Sequence, residues 1–292
     1  MERAIKLAKQ ANGEIPVGAL IVKDNEVIAE TFNQKELLND VTAHAEILAI
    51  REAEQKLKKW RLDDCEMYVT LEPCPMCAWA IINSRIKTVY FGAYDHNYGA
   101  LGSKIDLRKI ANSKLKVVST TDELTGLHNR KYMQERMEQE ISRARRYGTK
   151  LSCLLFDLDF FKVVNDIYGY EWGDVLLRSI ADKLKQLIRK EDILTRYGDE
   201  EFLLILPNTS EENAFLFAER FRRDIERMEF IPAGEEERHP ITISGGIATY
   251  PCIEDTEEDA NTIIRYAEHA LYNAKKRGKN KIVQFSQINL GE

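Results

Sequence analysis

The chain has 292 residues, of which 44% are hydrophobic and 31% are charged, and its formal net charge is −6. This length predicts about two domains, and the composition is typical of globular proteins and excludes a disordered, collagenous or coiled-coil chain. Because no apolar run approaches the roughly 18 residues of a membrane-spanning helix and the first residues lack a secretory signal, we expect a cytoplasmic protein with no membrane contact.

The first part of the chain alternates helical and strand patterns. Helical spacing occurs at residues 5–11, 42–57 and 74–83, and strand patterns occur at residues 17–22, 27–31, 67–71, 88–91 and 115–118. Asp24 and Asn25 separate the first two strands and predict a hairpin turn. We therefore expect an α/β domain over residues 1–118.

A polar stretch at residues 119–122 opens a second domain, which we expect over residues 119–292. Helical patterns follow at 135–147, 175–188, 213–228 and 259–276, and strand patterns at 151–157, 193–197, 202–206, 241–250 and 281–285. The first domain has a net charge of +1 and the second of −7. Neither has the basic excess that would by itself indicate nucleic-acid binding.

Three candidate metal ligands lie in two short motifs of the first domain. His44 precedes Glu46 by two residues, and Cys74 and Cys77 flank the start of a predicted helix. One histidine and two cysteines suit tetrahedral zinc with one position left for water, and Glu46 is placed to move a proton from that water to a leaving amine. The alternatives are a closed structural zinc site or two ordinary buried thiols. A chain with five cysteines, unevenly spaced, is an improbable disulfide framework.

With these residues, the first domain resembles the bacterial tRNA adenosine deaminases. The resemblance is carried by five segments: GEIPVGA at 13–19, TAHAEI at 42–47, WRL at 60–62, YVTLEPCPMC at 68–77 and GALGS at 99–103. It implies a three-layer α/β/α fold, zinc held by His44, Cys74 and Cys77, Glu46 as proton shuttle, and Asn33 beside the flipped base of a tRNA or nucleoside substrate. The C-terminal helix usual in that family has no counterpart here, and Val41 replaces its proline.

The second domain carries acidic residues after a predicted strand and near a predicted hairpin. Asp157 ends the apolar strand at 151–157, and Glu200 follows the Gly198-Asp199 turn, so both could reach one magnesium ion. Asn165 and Asp174 offer an amide and a carboxylate suited to the edge of guanine. Lys275 and Lys279 lie four residues apart, where they can neutralise phosphate charge.

This set resembles the GGDEF domain of diguanylate cyclases, a palm-like α+β domain of the adenylyl cyclase type. The matching segments are LTGLHNR at 124–130, FDLDFFK at 156–162, ND at 165–166, GD at 173–174, RYGDEEF at 196–202, SGGIA at 244–248 and ALYNAK at 270–275. The resemblance implies a homodimer that condenses two GTP into cyclic di-GMP.

The same resemblance implies a role for each residue of the second constellation. It makes Asp157, Leu158 and Glu200 magnesium ligands, with Asp157 and Glu200 also catalytic. The implied substrate contacts are the guanine readers Asn165 and Asp174, the backbone amides of Phe160 and Phe161, and the phosphate contacts Lys275 and Lys279. Arg189 and Asp192 match a product-inhibition site that binds cyclic di-GMP, although four consecutive charges at residues 189–192 also fit an ordinary helix end.

Two further hypotheses remain open, and a departure from the GGDEF motif motivates the first of them. Asp199 stands where the motif has its second glycine, which adds a negative charge beside the triphosphate and removes the freedom to adopt positive φ. Repulsion of this kind costs about 1 to 4 kcal/mol at surface-like dielectric. In the first hypothesis, the second domain is a regulatory module that binds GTP or cyclic di-GMP without turnover and regulates the deaminase. In the other, the deaminase fold is a ligand sensor for the cyclase.

Overall fold

The computed structural model describes residues 1–231, 239–253 and 258–288, and the chain divides into two compact units, Met1–Gly126 and Leu127–Glu292. The division lies beyond the boundary expected at residue 118 because the next residues still bind the first unit. Thr120 N donates to Phe91 O at 3.0 Å, and the Thr121 hydroxyl donates to Gly92 O at 2.8 Å. In the described residues, no helix is long and apolar enough to cross a membrane.

The first unit is built on a five-stranded sheet of order β2-β1-β3-β4-β5. Its elements in chain order are α1 (Glu2–Ala8), β1 (Gly18–Lys23), β2 (Glu26–Phe32), α2 (Lys35–Leu38), α3 (Ala45–Leu57), β3 (Glu66–Leu71), α4 (Pro75–Asn83), β4 (Thr88–Ala93), α5 (Leu107–Ile110) and β5 (Lys116–Ser119). Strands β1 and β2 are antiparallel, whereas β3, β4 and β5 are parallel, with α4 crossing between β3 and β4.

The predicted hairpin between the first two strands is confirmed. Asp24 and Asn25 have φ of 47° and 63°, and Lys23 pairs with Glu26, which is the two-residue turn that the right-handed twist of strands favours. Behind the sheet, α3 and α4 bury small and branched side chains, such as Ala49 and Ile81, in one core cluster with Phe91 of β4. This packing fixes the first turns of α3 and α4 at the ends of the strands.

The second unit is built on a six-stranded sheet of order β11-β10-β7-β9-β8-β6. Its elements are β6 (His128–Asn129), α6 (Arg130–Tyr147), β7 (Leu151–Leu158), α7 (Phe161–Tyr168), α8 (Tyr170–Leu187), β8 (Ile193–Arg196), β9 (Glu201–Pro207), α9 (Glu211–Glu226), β10 (Ile243–Tyr250), α10 (Ala260–Lys276) and β11 (Ile282–Gln284), followed by a 3-10 turn at Phe285–Gln287. The central strand β7 is antiparallel to both β9 and β10 and is buried along its whole length.

Several helix boundaries differ from the sequence prediction. Helix α1 ends at Ala8 rather than residue 11, α6 begins at Arg130 rather than residue 135, and α8 begins at Tyr170 rather than residue 175. The early start of α6 has a physical cause, because the Asn129 side chain caps the helix by accepting from Tyr132 N at 3.1 Å. Helix α7 was not predicted; the left-handed Gly169 separates it from α8. The predicted mixed α/β class is confirmed in both units.

Candidate active sites

The three predicted zinc ligands lie at the start of two helices of the first unit. His44 is the N-cap residue of α3. Cys74 is the N-cap residue of α4, which Pro75 begins, and Cys77 lies in the first turn of that helix. Proline at the first helical position is favourable because its missing amide would have had no partner. Two helix N-termini therefore converge on these side chains, and their partial positive charge stabilises thiolates.

The distances between the three ligand atoms fit a zinc ion. His44 Nδ1 lies 3.7 Å from Cys74 Sγ and 3.6 Å from Cys77 Sγ. Tetrahedral zinc with ordinary bond lengths to sulfur and nitrogen separates these atoms by about 3.6 Å. Among the described residues, this is the one group of three His, Cys, Asp or Glu side chains close enough to hold a metal ion. The donor set and the spacing both suit zinc with a further open position.

Protonation of the two sulfurs is unequal. The hydrogen bond from the Cys77 thiol, together with the His44 ring, lowers the pKa of Cys74 to about 4. The same hydrogen bond and burial raise the pKa of Cys77. At neutral pH, the metal-free site therefore holds one thiolate beside a histidine, and a metal ion is needed to stabilise a second.

Glu46 is the acid–base residue nearest this cluster. Its side chain is only 4% exposed, in the first turn of α3 and two residues after His44. Burial raises the pKa of Glu46 to about 7. A carboxyl group with such a pKa can both accept and release a proton near neutral pH.

Asn33 lies at the end of β2, against the first turn of α3. Its Oδ1 accepts from Ala45 N at 2.9 Å, and its Nδ2 donates to Ile15 O at 3.1 Å. The side chain thus ties the loop at residues 13–16 to the helix that carries His44. Asn33 therefore lies beside the predicted site, where its side chain also holds the loop at residues 13–16 against the first turn of α3.

Sequence reasoning missed Glu72, which braces the other side of the cluster. The carboxylate is buried and accepts from Leu101 N at 2.9 Å, from Ser103 N at 3.1 Å and from Asp95 N at 3.3 Å. It therefore fixes the loop at residues 95–103 beside the Pro73-Cys74 segment. The one sequence signal was an acidic residue directly before that segment.

In the second unit, Asp157 and Glu200 lie at the end of β7 and in the β8–β9 turn. Asp157 is buried, and its Oδ2 lies 2.6 Å from Lys275 Nζ of α10. Burial raises the pKa of Asp157 despite this lysine, and burial and the Asp157 charge raise the pKa of Glu200. Two carboxylates that repel each other in a partly buried position form a site that a cation stabilises.

The one group that Leu158 can offer to a metal ion is its main-chain carbonyl, since its side chain is apolar and buried. Its amide donates to Glu200 O at 3.3 Å, which holds the end of β7 against the hairpin turn. The three predicted magnesium ligands are thus neighbours. Their all-oxygen donor set suits magnesium.

The Asp199 substitution does not strain the hairpin turn. Asp199 has no positive φ, so the glycine freedom expected to matter at this position is not used. Its carbonyl accepts from Arg196 Nη2 at 2.9 Å, and both Tyr197 N and Gly198 N donate to Glu201 O. The remaining effect is electrostatic, because the exposed Asp199 side chain contributes to raising the pKa of Glu200.

Asn165 and Asp174 lie on α7 and in the first turns of α8. Asn165 Oδ1 is buried and has no hydrogen-bond partner among the residues that the structure describes. A side chain at Gly173 would place its Cβ 1.9 Å from this oxygen, so the glycine allows the amide to occupy its position. An orphaned acceptor beside a half-buried carboxylate fits a ligand that brings several N–H donors, as guanine does.

Phe160 and Phe161 join β7 to α7. Phe160 is left-handed with φ of 60°, and Phe161 begins the helix with a buried ring. Lys279, predicted as a phosphate contact, places its Nζ 3.6 Å from the centre of the Phe160 ring. The structure therefore brings Phe160, Lys275 and Lys279 to the same end of β7 as Asp157.

Arg189 and Asp192 form a turn after α8. Arg189 N donates to Asp192 Oδ2 at 2.8 Å, and burial raises the pKa of Asp192. Both residues line a cleft of about 420 Å³ together with Phe217 and Arg220 of α9. Two guanidinium groups beside an aromatic ring suit a ligand with phosphates and flat bases.

Comparison with known proteins gives two family matches. The family model "Diguanylate cyclase, GGDEF domain" matches residues 119–281, and "Cytidine and deoxycytidylate deaminase zinc-binding region" matches residues 1–93. These matches agree with the two resemblances drawn from the motifs.

Curated relatives exist for each unit. "Response regulator PleD" of Caulobacter vibrioides is 39% identical over 166 residues, which are 57% of this chain and 36% of that protein. "Diguanylate cyclase A" of Treponema denticola is 36% identical over 219 residues, 74% of this chain and 57% of that protein. "tRNA-specific adenosine deaminase" of Aquifex aeolicus is 49% identical over 106 residues, 36% of this chain and 70% of that protein. The chain thus spans 36% of the length of the response regulator and 57% of that of the Treponema denticola protein.

Solved structures resemble the second unit. The GGDEF domain of DgcB from Caulobacter crescentus in complex with c-di-GMP has a TM-score of 0.54 at 28% identity, covering 57% of this chain and 94% of that one. The diguanylate cyclase SiaD from Pseudomonas aeruginosa, solved with its activator SiaC, has a TM-score of 0.52 at 35% identity, covering 56% and 61%.

Proposed function

The chain belongs to the GGDEF diguanylate cyclase family through residues 119–281 and to the tRNA adenosine deaminase family through its first unit, and from this membership we propose that it is a two-module enzyme. One module condenses two GTP molecules into cyclic di-GMP. The other hydrolytically deaminates adenosine, with the wobble adenosine of a tRNA as the favoured substrate and a free nucleoside as the alternative.

The observation that carries the cyclase proposal is the pair of mutually repelling carboxylates of Asp157 and Glu200 facing Lys275. Magnesium, when bound by these carboxylates and the Leu158 carbonyl, supplies charge neutralisation on the triphosphate. Asn165 and Asp174 hold the guanine edge, and Lys275 and Lys279 balance phosphate charge. With the base and phosphates fixed, the 3′-hydroxyl oxygen of each nucleotide attacks the α-phosphorus of the other and gives its proton to solvent, while the bond from that phosphorus to the β-phosphate oxygen breaks, so that two pyrophosphates leave.

One such site holds one GTP, whereas the product joins two. The cyclase therefore works as a homodimer in which each subunit presents a nucleotide. The amides of Phe160 and Phe161 lie at the start of α7, where they can donate to phosphate oxygens.

The deaminase proposal rests on the His44, Cys74 and Cys77 cluster beside the buried Glu46. Zinc, when bound by the three ligands, supplies a water whose pKa is lowered toward neutrality. Glu46 accepts a proton from the attacking water and delivers it to the departing amino group, so that ammonia leaves and inosine remains. Asn33 braces the floor of this site next to Ala45.

The cleft lined by Arg189 and Asp192 is proposed as a product-inhibition site for cyclic di-GMP. The two arginines bordering it, Arg189 and Arg220, are placed to grip phosphates and guanine faces. Product bound there slows the cyclase when cyclic di-GMP accumulates. Because GTP and tRNA are both found inside cells, we propose that the enzyme works in the cytoplasm.

The decisive experiment supplies GTP and magnesium to the purified full chain and measures cyclic di-GMP by liquid chromatography and mass spectrometry. Wild-type protein forms product, and Asp157→Ala and Glu200→Ala abolish it, whereas Lys276→Ala, which changes an exposed residue beside Lys275, does not. Absence of product from the dimeric wild-type protein refutes the cyclase proposal. Inosine formation in tRNA, lost in Glu46→Ala, tests the deaminase module separately.

A further inference from the structure

Lys279 and Asn280 form a tight turn between α10 and β11, in which φ is 62° and 46°. Asp159 anchors the main chain of this turn, because its Oδ2 accepts from Asn280 N at 2.9 Å. The same carboxylate accepts from the hydroxyls of Thr242, at 2.8 Å, and Ser244, at 2.7 Å. Asp159 is thus occupied in fixing the turn to the end of β7, unlike Asp157 two residues earlier.

A second set of contacts anchors the same turn to α9. Arg222 Nη1 donates to Asn280 Oδ1 at 2.7 Å, and Asn280 Nδ2 donates to Glu226 Oε1 at 2.8 Å. Both polar atoms of the Asn280 side-chain amide are therefore held by α9, while its main-chain amide is held by Asp159, just after the end of β7. Because the backbone is fixed on two sides, the position of the Lys279 ammonium depends on the flexible stem of that side chain.

The ring of Phe160 meets this ammonium. Lys279 Nζ lies 3.6 Å from the ring centre, within the range of a cation–π contact. Phe160 is left-handed, a conformation that is unfavourable for a bulky L residue, and its side chain remains 60% exposed. Burial does not explain an aromatic residue at such a position. Strained residues of this kind concentrate at functional sites.

We propose that the Phe160 side chain is a positioning residue that holds the Lys279 ammonium toward the phosphate chain of bound GTP. The proposal rests on the proposed cyclase function and adds a role for the ring to that of the Phe160 amide. A lysine is a point charge on a long stem and loses side-chain freedom when it binds a phosphate. A ring that holds the ammonium before the nucleotide arrives reduces that loss, and the ammonium hydrogens pointing away from the ring remain to bind phosphate oxygens.

A double-mutant cycle on the full chain tests this coupling. The affinity of a non-hydrolysable GTP analogue with magnesium is measured by calorimetry for wild type, Phe160→Leu, Lys279→Ala and the double variant. Phe160→Leu is expected to weaken binding about two- to five-fold, the range of an exposed cation–π contact. In the Lys279→Ala background, the same change is expected to have no further effect. Phe160→Tyr, which keeps an aromatic face, is expected to bind the analogue with wild-type affinity.

Matched controls separate the ring's position from general effects. Tyr147→Leu removes an aromatic ring that is 68% exposed at the end of α6, and Lys276→Ala removes a charge next to Lys275; both are expected to bind the analogue as wild type does. The proposal is overturned if Phe160→Leu binds like wild type, or if it weakens binding by the same factor with and without Lys279.

The thermal midpoints of the same four proteins without nucleotide provide an independent readout. Because the contact exists before GTP binds, the sum of the midpoint decreases of the two single variants should exceed the decrease of the double variant. Additive midpoints show that the contact does not form and overturn the proposal. If the wild-type protein fails to bind the analogue at all, the proposed cyclase function fails, and the midpoints still report whether ring and ammonium meet.

Discussion

Gly173→Ala is expected to weaken GTP binding strongly while leaving the fold intact. Gly173 lies in the first turns of α8, and a Cβ added there would meet Asn165 Oδ1 at 1.9 Å and Phe161 Cζ at 3.1 Å. Atoms in contact need more than 3 Å, so the Asn165 amide must move by about 1 Å or more. That amide is the proposed reader of the guanine edge.

Two opposing energies determine the effect on stability. Overpacking of this kind costs about 1 to 3 kcal/mol, whereas replacing glycine by alanine within a helix gains about 1 kcal/mol. The net loss of stability is therefore between about 0 and 2 kcal/mol, and the protein should fold. Catalysis has no such compensation, because a displacement of about 1 Å in a positioning group lowers the rate by up to about a hundred-fold. We expect kcat/KM for GTP to fall by about ten- to a hundred-fold.

The assay combines thermal unfolding with cyclic di-GMP formation at several GTP concentrations. Gly148→Ala is the matched control, because Gly148 has a positive φ of 62° at the end of α6 but no atom within 4 Å of the added Cβ. This control should lose stability through backbone strain and keep its KM for GTP. If Gly173→Ala keeps a wild-type kcat/KM, Asn165 does not read the nucleotide and the assignment of the guanine site is wrong.

Three further predictions follow from charges and metal ligands. Asp199→Gly should raise kcat of the cyclase by about five-fold or more, since removing a like charge beside Glu200 recovers at least about 1 kcal/mol at surface dielectric; an unchanged steady-state rate contradicts this. Cys77→Ser should lose the zinc ion found by elemental analysis and all deaminase activity, yet retain cyclic di-GMP formation; retention of stoichiometric zinc argues against the ligand set. For Asp192→Asn, burial raises the wild-type pKa, so the carboxyl stabilises the fold at low pH and that contribution is lost as pH rises. In denaturant titrations, the unfolding free energy of the variant minus that of wild type should increase from acid to neutral pH; a difference that stays constant or decreases over that range contradicts the raised pKa of Asp192.

Local patterns were sufficient to predict the first site. His44, Cys74 and Cys77 occur in short motifs, and the structure places Cys74 and Cys77 at a helix start as predicted; His44 is the N-cap of α3, whose helical pattern was predicted to begin earlier, at residue 42. Glu72 could not be predicted in the same way. Apart from the Ser103 hydroxyl, its partners are main-chain amides at residues 95–103, and the identity of a residue does not reveal what its main-chain amide binds.

The second site shows a different limit of sequence reasoning. Asp157 and Asp159 are the same residue type at the end of β7, two positions apart. Asp157 faces Lys275, whereas Asp159 accepts hydrogen bonds from the residue before β10, from β10 itself and from the α10–β11 turn. Which carboxylate stays available depends on neighbours more than 80 residues away. Helix α7 was missed for a related reason, because its start depends on a left-handed phenylalanine that propensities disfavour.

The charge distribution explains why an acidic half of the chain can bind a polyanion. Salt screens the attraction or repulsion due to the net charge beyond about 10 Å, whereas a bound phosphate interacts directly with the groups that it contacts. At the end of β7, Lys275 lies against Asp157 and Lys279 lies over Phe160, so both cations are already held where the phosphates are expected. Without a metal ion, Lys275 is the counter-ion of Asp157. If magnesium binds Asp157 as proposed, it would replace Lys275 as the counter-ion and leave the ammonium to the phosphates of GTP, so metal and nucleotide should bind cooperatively.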